Sequence, residues 1–170
     1  MPLTAAVDGL QRARARFEQH GTVDAMTVWF IESLPERPDF RLIAAFLFGE
    51  PFNIDSDGDS DSPASHCWTW LYLRNRQRAG EQVDIEVEGD AAARTRVQSG
   101  LSWLAAAAAF FLATEGATRV RSESGDDWVS PTLLEGFAGE FDLQAAVARA
   151  RASIWRQATL ANPYPNLERG

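Results

Sequence analysis

The sequence predicts a mainly α fold: six or seven helices packed around an Ala-rich central helix at about 102–114, with a small two-stranded β element at about 82–88 and 117–122. Three observations carry that prediction. Apolar residues recur at three- and four-residue spacing along most of the chain. Helix start and stop signals divide these stretches: Asp39, Ser62-Pro63, Ser130-Pro131 and Asp142 open them, and Gly21, Gly49 and Gly80 close them. Strict apolar–polar alternation is confined to two short runs.

A chain of 170 residues suits one domain, expected at 1–161 with an acidic loop at 50–62 and a flexible Pro-containing tail at 162–170. Hydrophobic residues make up 45% and charged residues 24%, a globular rather than a disordered balance. A net charge of −8 argues against a general nucleic-acid or anionic-membrane binder. All 16 cations are Arg, so no Schiff-base lysine or Walker lysine exists. The single cysteine, Cys67, excludes an intrachain disulfide. Met1 to Gln11 has no apolar signal region, and the longest apolar run, Trp103 to Ala113, is about half the ~20 residues of a membrane span. These features, with abundant Ala and Arg, lead us to expect a bacterial, cytoplasmic protein without membrane insertion.

Leu3, Val7, Leu10 and Phe17 fall on one helical stripe, with Arg12, Arg14, Arg16 and Glu18 largely outside it. Thr22 caps a second helix whose inner face is Val23, Met26, Trp29, Phe30 and Leu34, and Pro35 ends it. Pro38 and Asp39 open a third, which runs through Phe40, Ile43, Ala44 and Leu47 to Gly49. It is apolar nearly all round and therefore buried. Ser62-Pro63 opens a fourth, with Ala64, Cys67, Trp68 and Leu71 inward, and Gly80 ends it.

Val83, Ile85 and Val87 then alternate with Asp84, Glu86 and Glu88, the period of a half-buried strand. Thr118-Arg119-Val120-Arg121 alternates too, and its basic face complements the acidic one, so the two are expected to pair. Asp90 caps a helix over Ala91–Ser99, broken at Gly100. Trp103 to Leu112 holds five alanines, small enough for close helix approach, and is the expected centre. Ser130-Pro131 starts a short helix that Gly136 and Gly139 break. Asp142 caps the last one, with a seam of Leu143, Val147, Ala150, Ile154 and Ala158.

The stretch Ala25-Met-Thr-Val-Trp-Phe-Ile-Glu-Ser-Leu-Pro-Glu-Arg, followed by a very apolar helix, has a Leu-Pro-x-Arg turn before an aromatic-rich segment. Ala109-Phe110-Phe111 and Ser130-Pro131 follow in order. This pattern, over about residues 23–150, resembles an all-helical bacterial family without assigned activity, whose genes tend to lie among type VI secretion components. The chain departs from it at Leu42 and Ile43, where the family has paired Trp, and at Ala113-Thr114-Glu115-Gly116, where it has Gly-Gly-Ser. The resemblance implies a helical fold and an adaptor or accessory role, and it transfers no catalytic residue.

The sharpest local signal is the acidic loop. With Asn53 at position 1 of an EF-hand frame, Asp55, Asp57, Gly58 and Asp61 take positions 3, 5, 6 and 9, and Asp59 stands between. Position 8, normally apolar, is Ser60, and the position of the bidentate Glu is Ala64. A solvated loop without metal is the expectation. His66 and Cys67 are sequence neighbours, about 100° apart on a helix, so they form no dyad, and Cys67 is expected as a small buried hydrophobe. His20 sits at an expected helix C-terminus, where its charge is favourable. Arg-x-Arg runs at five places (Arg12/Arg14/Arg16, Arg74/Arg76/Arg78, Arg94/Arg96, Arg119/Arg121 and Arg149/Arg151) do not line one helix stripe and are expected to meet the surplus acids. Glu115, Glu123, Asp126 and Asp127 read as solvated loop carboxylates, with Trp128 anchoring that loop.

These readings predict a non-catalytic protein without cofactor that works through contact with another protein, as an adaptor, chaperone or accessory factor of a secretion system. The alternatives are a small hydrolase or metal-dependent enzyme, and a calcium-binding module at 53–64. Two surfaces are candidates for the partner: an acid-guarded strand edge at Asp84, Glu86 and Glu88, and the tail at Pro163, Tyr164 and Pro165.

Overall fold

Val28-Trp29-Phe30-Ile31 is apolar without interruption, which suits a buried helix or a strand covered on both faces. It forms a strand. The computed structural model of the protein describes residues 25–90 and 93–167. The elements are β1 (Thr27–Glu32), α1 (Phe40–Phe48), β2 (Ile54–Gly58), β3 (Trp70–Asn75), β4 (Gln82–Glu88), β5 (Arg94–Ser99), α2 (Ser102–Glu115), β6 (Val120–Ser122), a 3-10 helix Pro131–Phe137, α3 (Leu143–Ala152) and a 3-10 helix Ile154–Gln157. The strands form one antiparallel sheet in the order β2-β3-β4-β5-β1-β6.

The mainly α expectation is therefore overturned: this is a mixed α/β fold with a six-stranded sheet. It also differs from the all-helical fold that the family resemblance implied. The expected second helix is β1, and the helix expected from Pro63 is replaced by a loop leading into β3. The helix expected over Ala91–Ser99 is β5 from Arg94 on. In each case side chains that fit a helical stripe also fit a pleat, and tertiary pairing decides. The strand at 82–88 exists, but it pairs with β3 and β5 rather than with 117–122, and β6 pairs with β1. The expected loop 50–62 contains β2. Cys67 is exposed rather than buried, because no helix turns it inward. The stripe from Leu3 to Phe17 and His20 lie outside the described residues.

Helix ends follow local chemistry. The Asp39 side chain accepts from Arg41 N at 2.8 Å to cap α1, and Gly49 closes it at φ 79°. Asp142 accepts from Ala145 N at 2.9 Å to cap α3, and Ser130 caps the 3-10 helix Pro131–Phe137. The seam expected to reach Ala158 ends sooner: α3 stops at Ala152, and Ile154 is exposed.

Every residue from Leu104 to Ala113 in α2 is buried. The helix lies against β1, β5 and β4, while α1 packs on α2 and β3, and α3 packs on α1. Trp29, Ile31, Leu71, Leu73, Val83, Ile85, Val97 and Val120 face these helices. Phe46 of α1 stacks on Phe111 at 4.4 Å between centroids and on Phe110 at 6.5 Å. Substituting Phe111→Ala removes the closer ring from a site that cannot collapse easily. We expect a loss of about 3–5 kcal/mol in urea denaturation, whereas a loss under about 1 kcal/mol would place Phe111 outside the core.

Candidate functional site

β2 is an edge strand, and its acidic sequence meets a cluster of aromatic side chains at this end of the sheet. Together they line an open cleft of about 380 Å³. Phe40 from α1, Trp68, Trp70 and Leu71 from the start of β3, and Tyr164 from the tail supply apolar walls. Asp57 and Asp61, with Ser56, Ser60 and Ser62, form the polar rim.

The walls are held by hydrogen bonds that the local sequence supplies. Arg37, in the Leu34-Pro-Glu-Arg turn, is buried and donates from Nε to the Trp68 carbonyl at 2.7 Å. Its NH1 group donates to the carbonyls of Leu34 and Pro35 at 3.1 and 3.0 Å. Burial pushes the Arg37 pKa down, opposed by Cys67 and Asp59. Trp68 Nε1 donates to the Pro38 carbonyl at 3.0 Å, and His66 Nδ1 lies 2.7 Å from the Arg37 carbonyl. At the opposite wall, the Arg41 guanidinium lies 4.1 Å from the Trp155 ring centre and 5.4 Å from that of Tyr164. Asp39 fixes this guanidinium at 2.6 Å, so the tail is tied to the start of α1.

The four acids and one amide of the expected calcium frame do not converge. Asp55 pairs with Arg76 at 2.5 Å, and the hydrogen bond to Arg76 holds its carboxyl below the usual range. Asp59 accepts from Thr69 N at 2.8 Å, from Trp70 N at 3.1 Å and from the Thr69 hydroxyl, which fixes the β2–β3 connection. The Asn53 carbonyl accepts from Arg76 N. Gly58 serves no ion-binding turn: it ends a strand, and a Cβ there would lie 2.8 Å from the Trp70 carbonyl oxygen. Of the frame's carboxylates, Asp57 and Asp61 alone line the cleft. Among the described residues no three His, Cys, Asp or Glu side chains are grouped to hold a metal ion.

Tyr164 of the tail candidates lines the cleft; Pro163 and Pro165 flank it in sequence. Asp84, Glu86 and Glu88 lie elsewhere, on the sheet face away from the helices. The open-edge argument for them fails, because β4 is paired on both sides. Two cross-strand rows define that face. One runs Trp70, Glu86, Arg96, Phe30, Arg121 from β3 to β6. The other runs Asp57, Tyr72, Asp84, Gln98, Val28 from β2 to β1. Glu88 pairs with Arg94 at 2.6 Å. Arg94 and Arg121 cover the Phe30 ring at 4.5 and 5.2 Å, and the Arg121 guanidinium also lies 5.2 Å from the ring of Trp128. Sequence reasoning missed Phe40, Trp68 and Trp70 as site residues. The usable signal was the alternation Trp68, Trp70, Tyr72, which places bulky aromatics every second residue.

No family model, curated protein or solved structure matches the chain. No helix among the described residues is long and apolar enough to cross a membrane.

Glu86 is half-buried on the outer face. Burial pushes its pKa up, Glu88 adds to the rise, and Arg96 opposes it. The folded chain therefore holds this proton more tightly than the unfolded chain. Ionised Glu86 costs stability at neutral pH, and the cost vanishes as pH falls through the raised pKa. We expect Glu86→Gln to raise the urea midpoint at pH 7, with the gain shrinking toward pH 4. Equal midpoints at pH 7 would contradict this assignment.

Proposed function

We propose that the protein acts by binding another protein, taking a basic, extended segment of its partner into the cleft beside β2. The observation that carries this reading is the joining of an aromatic cleft to an acidic edge strand. Among the described residues β2 has one strand neighbour, β3, and Ser56, Asp57 and Gly58 of β2 line the cleft. Such an edge accepts an added strand through main-chain hydrogen bonds, and nearby pockets take alternate side chains. Acidic side chains on it discourage pairing with a second acidic edge.

The chain contains an internal example of the same chemistry. Acidic β4 pairs with Arg-bearing β5, setting Glu86 opposite Arg96 and Glu88 opposite Arg94. A partner segment with Arg or Lys at alternate positions would meet Asp61 in the same way, with its intervening apolar side chains on Phe40, Trp68 and Tyr164. This reading rests on the cleft and not on the motif resemblance to a secretion-linked family.

A synthetic octapeptide of alternating Arg and Val, titrated by fluorescence anisotropy, tests it. We expect saturable binding that weakens with salt, falls about tenfold for Asp61→Arg, and is absent for the matching Glu–Val peptide. Equal binding of both peptides, or binding unaffected by Asp61→Arg, would overturn the proposal.

A further inference from the structure

The walls of the cleft differ in how firmly they are held. Phe40 belongs to the first turn of α1, and Trp68 is buried, with its ring nitrogen on the Pro38 carbonyl. Tyr164 comes instead from the tail and is 50% exposed. The chain leading to it is firmly anchored as far as Ala158. Ser153 donates to Glu50 at 2.9 Å, Trp155 covers the Arg41 guanidinium, and Arg156 forks onto Glu115 at 2.7 and 3.0 Å. Arg156 Nε also donates to the Ala150 carbonyl at 2.7 Å. Beyond Ala158 the side chains turn outward: Leu160 and Leu167 are exposed with Tyr164.

We propose that residues 159–167 form a strap that closes over the occupant of the cleft, with Tyr164 as its movable wall. The proposal rests on the reading of the cleft as the site for a basic segment. Local chemistry makes the strap a stiff arm. Thr159 and Asn162 exchange backbone hydrogen bonds at 3.0 and 3.1 Å, and Leu167 N donates to the Tyr164 carbonyl at 3.1 Å. Pro163 and Pro165 flank Tyr164. Their rings fix φ, and a residue before proline is held extended, so Tyr164 is presented by a backbone with little freedom of its own.

The seat of this arm is Arg41. Its guanidinium lies 5.4 Å from the Tyr164 ring centre, farther than the 4.1 Å to Trp155, so the tail ring is the looser of the two covers. Asp39 binds the guanidinium through Nε and NH2, while NH1 is buried and meets no acceptor among the described residues. Lifting Tyr164 would let water reach a confined donor, which offsets part of the lost ring contact. The closed position is therefore held weakly enough to open. Arg41 also follows Phe40 in α1, so the wall that stays and the wall that moves meet at one fixed helix start. An occupant lying on Phe40 would cover the exposed ring of Tyr164 and add apolar contact that exists only in the closed complex. Such contact slows dissociation rather than speeding encounter.

Fluorine NMR and stopped-flow binding on the full chain test it, with the alternating Arg–Val octapeptide as probe. The chain has two tyrosines, Tyr72 and Tyr164, so 3-fluorotyrosine labelling gives two resonances, and the one lost in Tyr164→Phe is that of Tyr164. In the free chain we expect this resonance away from its position in a synthetic peptide of residues 159–167, and we expect the octapeptide to move it further. Tyr164→Ala should speed octapeptide dissociation about tenfold and leave association within about twofold. Tyr164→Phe keeps the ring and should restore slow dissociation. A Tyr164 resonance at the free-peptide position would overturn the proposal, as would dissociation unchanged by Tyr164→Ala. A chain that binds no octapeptide would refute the basic-segment reading alone. Acrylamide quenching of tryptophan then decides the strap: it should rise in Tyr164→Ala as the cleft opens at Trp68 and Trp155, and unchanged quenching would overturn the strap too.

Discussion

The close seating of α2 against the sheet is the constraint on which the rest of the fold depends. Leu104 to Ala113 are all buried, so this stretch of the helix has no solvent face. Five consecutive alanines allow strands to pass beneath it and α1 to pass beside it at short range. Phe110 and Phe111 then fill the volume toward Phe46, and Phe141 closes the stack at 5.8 Å from Phe46. A larger residue among the alanines would push the sheet and α1 apart. That displacement would propagate to Phe40 at the start of α1, and so to the cleft.

The polar groups around this core are arranged so that charge is paired where it is confined. Arg41 is buried with Asp39 and stacked on Trp155, which makes the start of α1 a fixed point for the tail. Arg37 spends its donors on carbonyls of the turn before α1 and of Trp68, holding two distant segments together. More exposed pairs such as Arg119–Glu32 and Arg156–Glu115 connect β6 to β1 and α2 to the C-terminal 3-10 helix. Exposed pairs of this kind add little stability singly, and their value lies in setting register. An Arg-only cation set suits this use, because the planar guanidinium both stacks on rings and forks onto carboxylates.

Parts of this architecture were legible in the sequence because their causes are local. The caps Ser130 and Asp142 stand where their side chains reach backbone N–H groups a few residues on, and the sequence shows them, while Asp39, expected inside the first turn after Pro38, is itself the cap of α1. The alternation in β4 was visible because its two faces differ in polarity. The same alternation was present in Arg94-Thr-Arg-Val-Gln-Ser, yet preceding alanines made it resemble a helix. β1 gave no alternation, because both its faces are buried: Trp29 and Ile31 meet the helices, and Val28 and Phe30 face the other way. The cleft was half legible. Asp57, Asp61 and Tyr164 were singled out separately, but Phe40 and Trp68 read as core and Trp70 was not singled out.

By itself the sequence determined the helices α1, α2 and α3, the burial of the Ala-rich segment, and the absence of a disulfide, since each follows from composition or from contacts within one turn. Tertiary structure alone decided the sheet. Pairing β1 between β5 and β6, and β2 against β3, depends on long-range hydrogen bonds that no local period encodes. It also decided what the acidic residues do. Asp55 and Asp59 became ties for Arg76 and the Thr69 backbone, Asp57 and Asp61 became a cleft rim, and Asp84 and Glu86 became members of a buried face. A carboxylate's role is set by the cation, backbone amide or aromatic wall that folding brings beside it, and those neighbours come from strands distant in sequence.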